Sequence, residues 1–138
     1  MPTLTVQLRN IPDTEAAAGW AGGHTIVVDR AEGKAGGMGL GFNGGQLLAL
    51  AIGGCFCNDI RYVAHDMGIS IATIEVDVEL SLRGEPLVAS GATMRVRATA
   101  ADPSADIAAV IRRAEQDSTV ANSMKRGFPV VTLPAAPD

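Results

Sequence analysis

The sequence predicts an α+β domain, because segments with strand periodicity and segments with helix periodicity follow one another in a chain of 138 residues. An uninterrupted apolar run at residues 47–57 predicts a core helix, and strict alternation at residues 74–82 predicts a strand with one buried face. Apolar residues at helical spacing between Ile107 and Ala114 predict a second helix. The predicted order is β-β-α-β-β-α-β, within a single domain of residues 1–138.

The N-terminal third predicts two strands and a long loop. Residues 3–9 alternate apolar with polar side chains, and residues 24–30 form the second strand. The stretch between them, residues 10–23, is broken by proline and glycine and predicts a connection. Residues 31–45 are rich in glycine, which predicts a mobile loop or lid without regular structure.

The central helix is predicted over residues 46–67, with Gly68 closing its C-terminus. Two strands follow, centred on residues 74–82 and 94–98, and antiparallel pairing would bring their charged faces together. The predicted opposite pairs are Glu79 with Arg95, Asp77 with Arg97, and Val78 with Val96. These acids and bases then form a mutually neutralised surface and not a site.

The C-terminal part predicts the second helix and a final strand. Asp102 followed by Pro103 fits an N-cap and a first helical position, for a helix ending near Asp117. Residues 120–126 predict one or two further helical turns capped by glycine, and residues 128–133 predict a short strand.

Composition restricts the class of partner and the compartment. Hydrophobic residues make up 47% of the chain and charged residues 19%, which favours a homodimer that hides apolar surface. A net charge of -4 argues against nucleic acid. No signal peptide is predicted, and the apolar run at 47–57 is too short to cross a membrane. The expected location is cytoplasmic, where both cysteines stay reduced.

Motifs for cofactors and metals are weak. Residues 39–44 match G-x-G-x-x-G, but a long loop and no parallel βαβ unit surround them, so no dinucleotide site is expected. Gly33-Lys34-Ala35 lacks the Ser or Thr of a phosphate-binding loop. His24 and His65 are far apart and far from the cysteines, so neither metal nor cofactor is predicted.

The thiols are the main candidate chemistry, since Cys55 and Cys57 both lie in the predicted central helix beside Gly53 and Gly54. Their side chains would diverge by roughly 200° around the helix, so they cannot form a disulfide with each other. Asp59 would share a face with Cys55 and oppose formation of a thiolate there. From these residues alone, inert packing and a functional thiol both stay open.

The segment Gly41-Phe42-Asn43-Gly44-Gly45-Gln46-Leu47-Leu48, followed by Cys55-Phe56, resembles the start of the cysteine-bearing helix in the OsmC/Ohr family of thiol peroxidases. The resemblance covers residues 41–131, with Ala114–Met124 similar to the second cysteine segment. It implies an antiparallel sheet wrapped around a long central helix, in an intertwined homodimer with the thiol at the interface.

The resemblance also implies roles for individual residues. Cys55 matches the cysteine that attacks an organic hydroperoxide, whereas Ser118 stands where the family has its second, resolving cysteine. Gly45 stands where the Ohr branch has a glutamate that anchors the activating arginine, for which Arg9 and Arg30 are the candidates here. The implied apolar pocket is formed by Met38, Leu40, Phe42, Leu48 and Phe56.

Two functions therefore remain open, together with a purely structural dimer. In the first, Cys55 reduces a small organic hydroperoxide, and an external thiol resolves the sulfenic acid because a serine hydroxyl cannot. In the second, the protein has lost peroxidase activity and binds a small apolar ligand or acts as a thiol sensor. The role of Cys57 as a secondary thiol is undetermined by sequence.

Overall fold

The computed structural model describes residues 1–136 and confirms the α+β class. Strands β1 to β3 form one antiparallel sheet in that order, and β4 pairs with β5 in a second. The elements are β1 (Gln7–Asn10), β2 (Ala17–Ala21), β3 (His24–Val28), α1 (Gly44–Asp66), β4 (Ile71–Arg83), β5 (Val88–Ala100), α2 (Ile107–Asp117) and α3 (Thr119–Arg126).

The N-terminal sheet contains a strand that the sequence analysis missed. Residues 10–23 were predicted as a connection, but β2 lies within them and pairs with both neighbours. Its sequence, Ala-Ala-Gly-Trp-Ala, has no β-branched residue, so intrinsic propensity gives little signal. Gly22 and Gly23 form the two-residue hairpin to β3, with Gly22 at φ +58°. The first strand also begins at Gln7 and not at residue 3.

Helix α1 begins two residues earlier than predicted because Asn43 caps it. The Asn43 side chain accepts a hydrogen bond from the Gln46 N–H at 2.8 Å, and the Gln46 side chain accepts one from the Asn43 N–H at 3.0 Å. This reciprocal capping box satisfies two N–H groups at the start of the helix. At the other end Gly68 follows the C-cap at φ +69°, as the glycine there predicted.

One face of α1 forms the hydrophobic core with α2. The fully buried side chains are Phe56, Ile60, Val63 and Ala64 from α1 with Val110 and Ala114 from α2, and half-buried residues of β4 and β5 pack against them. By length and composition α1 could cross a membrane, but 39% of its most apolar 18-residue stretch is buried inside the domain. Its contacts with β4 and α2 make it the core helix of a soluble fold.

The β4–β5 hairpin pairs in a register two residues away from the predicted one. Val76 lies opposite Val96, while Glu75 lies opposite Arg97 and Asp77 opposite Arg95. Side-chain ion pairs nevertheless cover this face, because Arg97 reaches Glu75 at 3.0 Å and Arg95 reaches diagonally to Glu79 at 3.4 Å. The prediction of an ion-paired surface is confirmed. The pairings of Asp77 with Arg97 and of Val78 with Val96 are wrong, since Val78 lies opposite Met94.

Two C-terminal predictions need correction. Asp106, not Asp102, caps α2, because its carboxylate accepts the Ala109 N–H at 3.0 Å. Asp102 instead closes a preceding turn on Ser104. The strand predicted at residues 128–133 is absent from the described chain, where this apolar segment is exposed and pairs with nothing.

Candidate functional site

Helix α1 carries both thiols on opposite flanks of its buried face. Cys55 and Cys57 are each half-buried and free, separated around the helix as the two-residue spacing requires. Cys55 lies three positions after Ile52, whose side chain lines a cleft with α2 and α3. Cys57 lines a different cleft against β4. The two thiols therefore face different parts of the molecule.

The nearest polar partner of Cys55 is Asp59, one helical turn further on. The Cys55 Sγ–H donates to Asp59 Oδ2 at 3.6 Å, and Asp59 is only 9% exposed. Within residues 1–136, no ion pair or hydrogen bond joins a cationic side chain to either residue. The site as one chain builds it is a thiol beside a buried carboxylate.

Ser118 lies between α2 and α3, where it is fully buried. Its hydroxyl has no hydrogen-bond partner within the described chain, and it does not cap α3 although it holds the N-cap position. A buried hydroxyl without a partner is unfavourable. A sulfhydryl would lose much less there, since it is only a weak donor.

The cleft beside Cys57 has a volume of about 560 Å³ and is largely apolar. It is lined by Phe42, Gln46, Ala49, Leu50, Gly53, Gly54, Cys57, Val76, Asp77 and Val78. Gly53 allows β4 to approach α1 here, because an added Cβ would meet Val78 Cγ2 at 2.8 Å. Apart from Phe42 and the two glycines, the residues that line this cleft were not predicted from the sequence.

A second cleft of about 520 Å³ lies between α1, β5 and the two C-terminal helices. Its wall is mostly apolar, including Phe56, Met94 and Met124, with Glu115 and Lys125 as the charged members. Of the pocket predicted around Cys55, Phe42 therefore lines the first cleft and Phe56 the second. The remaining members, Met38, Leu40 and Leu48, line neither of them.

The two candidate activating arginines are held within the N-terminal part of the chain. Arg9 lies 5.9 Å from the ring centre of Trp20 and donates to the Leu8 carbonyl at 2.7 Å. Arg30 donates to the Glu15 carbonyl at 2.7 Å and pairs with Asp29. Neither is hydrogen-bonded or ion-paired to Cys55 within the described chain.

Most of the glycine-rich loop has no regular element, as predicted, and backbone hydrogen bonds connect its residues. The buried carboxylate of Asp29 accepts the N–H groups of Met38 and Leu40, both at 3.0 Å, and that of Arg30 at 2.8 Å. The Leu40 N–H contributes most to lowering the pKa of Asp29, and the charge of Arg30 adds to it. Asp29 was not among the predicted site residues, although an acid between a strand and a glycine-rich segment is a recognisable turn signal.

His24 and His65 are both exposed, and among residues 1–136 no cluster of ligands could hold a metal ion. Gly45 lies in the first turn of α1, where a Cβ would have room beside Asn43 and Leu82. A larger residue such as glutamate would therefore fit at position 45, where this chain has glycine.

The OsmC-like protein family model matches residues 36–132 of the chain. Among solved structures, an OsmC-like protein of unknown function from Vibrio cholerae superposes with a TM-score of 0.74 at 12% identity, covering 89% of this chain and 94% of that one. An organic hydroperoxide resistance protein OsmC from Legionella pneumophila superposes with a TM-score of 0.66 at 20% identity, covering 91% of this chain and 90% of that one. The organic hydroperoxide resistance protein OhrB of Bacillus subtilis superposes with a TM-score of 0.62 at 19% identity, covering 89% of this chain and 90% of that one. No curated protein matches significantly.

Proposed function

The chain belongs to the OsmC-like protein family, and from that membership we propose that it reduces organic hydroperoxides through Cys55. The observation that supports this most is the half-buried, free thiol of Cys55 on the core helix. The sequence resemblance implies that this residue corresponds to the reactive cysteine of the family. Two proteins with the same fold, from Legionella pneumophila and Bacillus subtilis, are named for organic hydroperoxide resistance.

The proposed cycle uses one protein thiol. Cys55 sulfur attacks the terminal oxygen of the hydroperoxide, the O–O bond breaks, and an alcohol and a sulfenic acid result. Ser118 cannot resolve that sulfenic acid because a hydroxyl forms no disulfide. An external dithiol therefore attacks the sulfenic sulfur, releases water, and leaves as its own disulfide when its second thiol restores Cys55.

Steady-state reduction of cumene hydroperoxide with dithiothreitol tests this proposal. Cys55→Ser should abolish turnover, and Cys57→Ser should retain most of it, because Cys57 lies on the other flank of α1 in a separate cleft. The two variants make the same chemical change two residues apart and so control for each other. Loss of activity in Cys57→Ser with activity kept in Cys55→Ser would contradict the assignment.

We also propose that the working unit is a homodimer in the cytoplasm. The chain exposes 10375 Å², whereas a compact monomer of 14.2 kDa would expose about 6,800 Å². The β1–β3 sheet makes no extended contact with the helices or with β4 and β5 of its own chain. A second copy could cover α1 with that sheet. Free cysteines fit a reducing compartment.

A second candidate function is binding of a small apolar ligand without catalysis. The two clefts favour it, since their volumes and largely apolar walls are typical of small-molecule sites. The lack of a cation beside Cys55 within the described chain also favours it, because nothing there stabilises a thiolate. In this case an apolar fluorescent probe should bind equally well to the wild type and Cys55→Ser, and peroxide should oxidise Cys55 no faster than a free thiol.

A further inference from the structure

The packing of α1 does not explain why a carboxylate, that of Asp59, is buried on its apolar face. Asp59 lies on the buried face between Phe56 and Ile60, where the neighbouring positions are apolar. A buried carboxylate costs free energy unless a cation or hydrogen bonds compensate it. In the part of the chain that the structure describes, its side chain has one hydrogen-bond partner, the thiol of Cys55.

The geometry of this pair suits proton transfer. The Sγ–H of Cys55 is directed at Asp59 Oδ2 across 3.6 Å, and the i to i+4 spacing on one helix fixes the two groups relative to each other. A carboxylate does not activate a thiol by charge, since it repels a thiolate. It can, however, accept the thiol proton while sulfur reacts and then donate that proton to a more basic atom.

We propose that Asp59 is the proton acceptor and donor of Cys55 during peroxide reduction, an inference that rests on the proposed peroxidase function. As the Cys55 sulfur attacks the terminal oxygen of the hydroperoxide, Asp59 Oδ2 takes the thiol proton. The S–O bond forms, the O–O bond breaks, and sulfur gives up two electrons to the peroxide. Asp59 then protonates the departing alkoxide, so the products are an alcohol, a sulfenic acid and the original carboxylate.

This role predicts a dependence on the leaving group. An alkyl hydroperoxide releases a strongly basic alkoxide, which needs a proton as the O–O bond breaks. Peracetic acid releases acetate, which is stable without one. Removing this proton relay, the Asp59 carboxylate, should therefore slow the reaction with cumene hydroperoxide much more than the reaction with peracetic acid. A general distortion of the site would slow both reactions.

The test compares Asp59→Asn with Asp66→Asn by stopped-flow measurement of Cys55 oxidation. Asp66 is the matched control, because it lies on the same helix, is exposed, and pairs with Arg113 and not with a thiol. Asp59→Asn should slow the cumene hydroperoxide reaction by about 100-fold or more, and the peracetic acid reaction by less than about tenfold. Asp66→Asn should change neither rate. Alkylation of Cys55 by iodoacetamide should be no slower in Asp59→Asn than in the wild type, which shows that the thiol stays accessible.

The outcomes separate this inference from the function on which it rests. Fast oxidation of both the wild type and Asp59→Asn would overturn the relay and leave the peroxidase intact. Equal slowing with both peroxides would also overturn the relay. Oxidation of the wild type no faster than a free thiol would overturn both. If Asp59→Asn does not fold, the solvent deuterium isotope effect on the wild type decides, because the relay requires a larger effect with cumene hydroperoxide than with peracetic acid.

Discussion

At the scale of single residues, the site depends on which polar groups surround two similar thiols. Cys55 has a buried carboxylate as its partner, whereas Cys57 lines an apolar cleft. The sequence already separated the two thiols by helical geometry and placed Asp59 on the side of Cys55. It could not show that Asp59 is buried without a cation in the described chain, because burial depends on which elements pack over that part of α1.

Ser118→Cys should restore an internal resolving thiol. The Ser118 side chain is fully buried with an unpaired hydroxyl, so a cysteine fits there without losing a hydrogen bond. One equivalent of cumene hydroperoxide should then produce a disulfide with Cys55, detected by intact mass and peptide mapping without reductant. Ser123→Cys, further along α3, is the control and should form little disulfide with Cys55. A Ser118→Cys protein that accumulates only sulfenic acid would show that residue 118 is not at the resolving position.

Asp29 should make the glycine-rich loop sensitive to acid. Its pKa is lowered from 3.8, chiefly by the Leu40 N–H, so the carboxylate stabilises the loop at any pH above 3.8. That stabilisation is lost as the pH falls through the lower pKa of the folded state. The Leu40 amide signal in NMR spectra should shift in that acid range in the wild type. In Asp29→Asn it should already differ at neutral pH and stay unchanged on acidification.

At the scale of elements, helices and strands with strong hydrophobic periodicity were predictable from the sequence. Strands that form only because neighbouring strands pair with them were not. Helix α1 and the β4–β5 hairpin were found from apolar spacing, with ends shifted by caps such as Asn43. Strand β2 was missed because its residues have low strand propensity and it is held by two neighbours. The segment 128–133 is rich in β-branched residues, which favour a strand, but the described chain offers it no strand to pair with.

Gly53 determines how closely α1 packs on β4. Gly53→Ala adds a Cβ that would meet Val78 Cγ2 at 2.8 Å, and this β-branched side chain has little freedom to move. The overpacking should outweigh the gain in helix propensity and destabilise the protein by about 1 kcal/mol. Urea denaturation measures the change. In a Val78→Ala background the same substitution should become neutral or stabilising, and a cost that persists there would place the clash elsewhere.

At the scale of the whole molecule, the single chain leaves too much apolar surface uncovered. The C-terminal segment is one example, with Phe128 59% and Val130 85% exposed, and the N-terminal residues before β2 are another. Burial of such surfaces is the main favourable term in association. The excess of about 3,600 Å² per chain corresponds to roughly 7,200 Å² for two chains, which is the size of the largest obligate interfaces.

Light scattering should therefore give a mass of twice the 14.2 kDa chain. Gly54 lies on the outward face of α1, with no atom within 4 Å of an added Cβ in the single chain. If a second copy packs there, Gly54→Arg should shift the protein towards monomer. Thr93→Arg, on the exposed ion-paired face of the β4–β5 hairpin, is the control and should leave the mass unchanged. A wild-type monomer at micromolar concentration would contradict the dimer.

The central claim is that Cys55 is a peroxide-reactive thiol selective for organic hydroperoxides. Its most direct test is the single-turnover rate of Cys55 sulfenic acid formation with cumene hydroperoxide and with hydrogen peroxide, followed by stopped-flow and intact mass at neutral pH. We expect fast oxidation that is lost in Cys55→Ser and that is faster with the organic peroxide. Rates equal to those of a free thiol, with no preference between the two peroxides, would contradict it and favour the binding function.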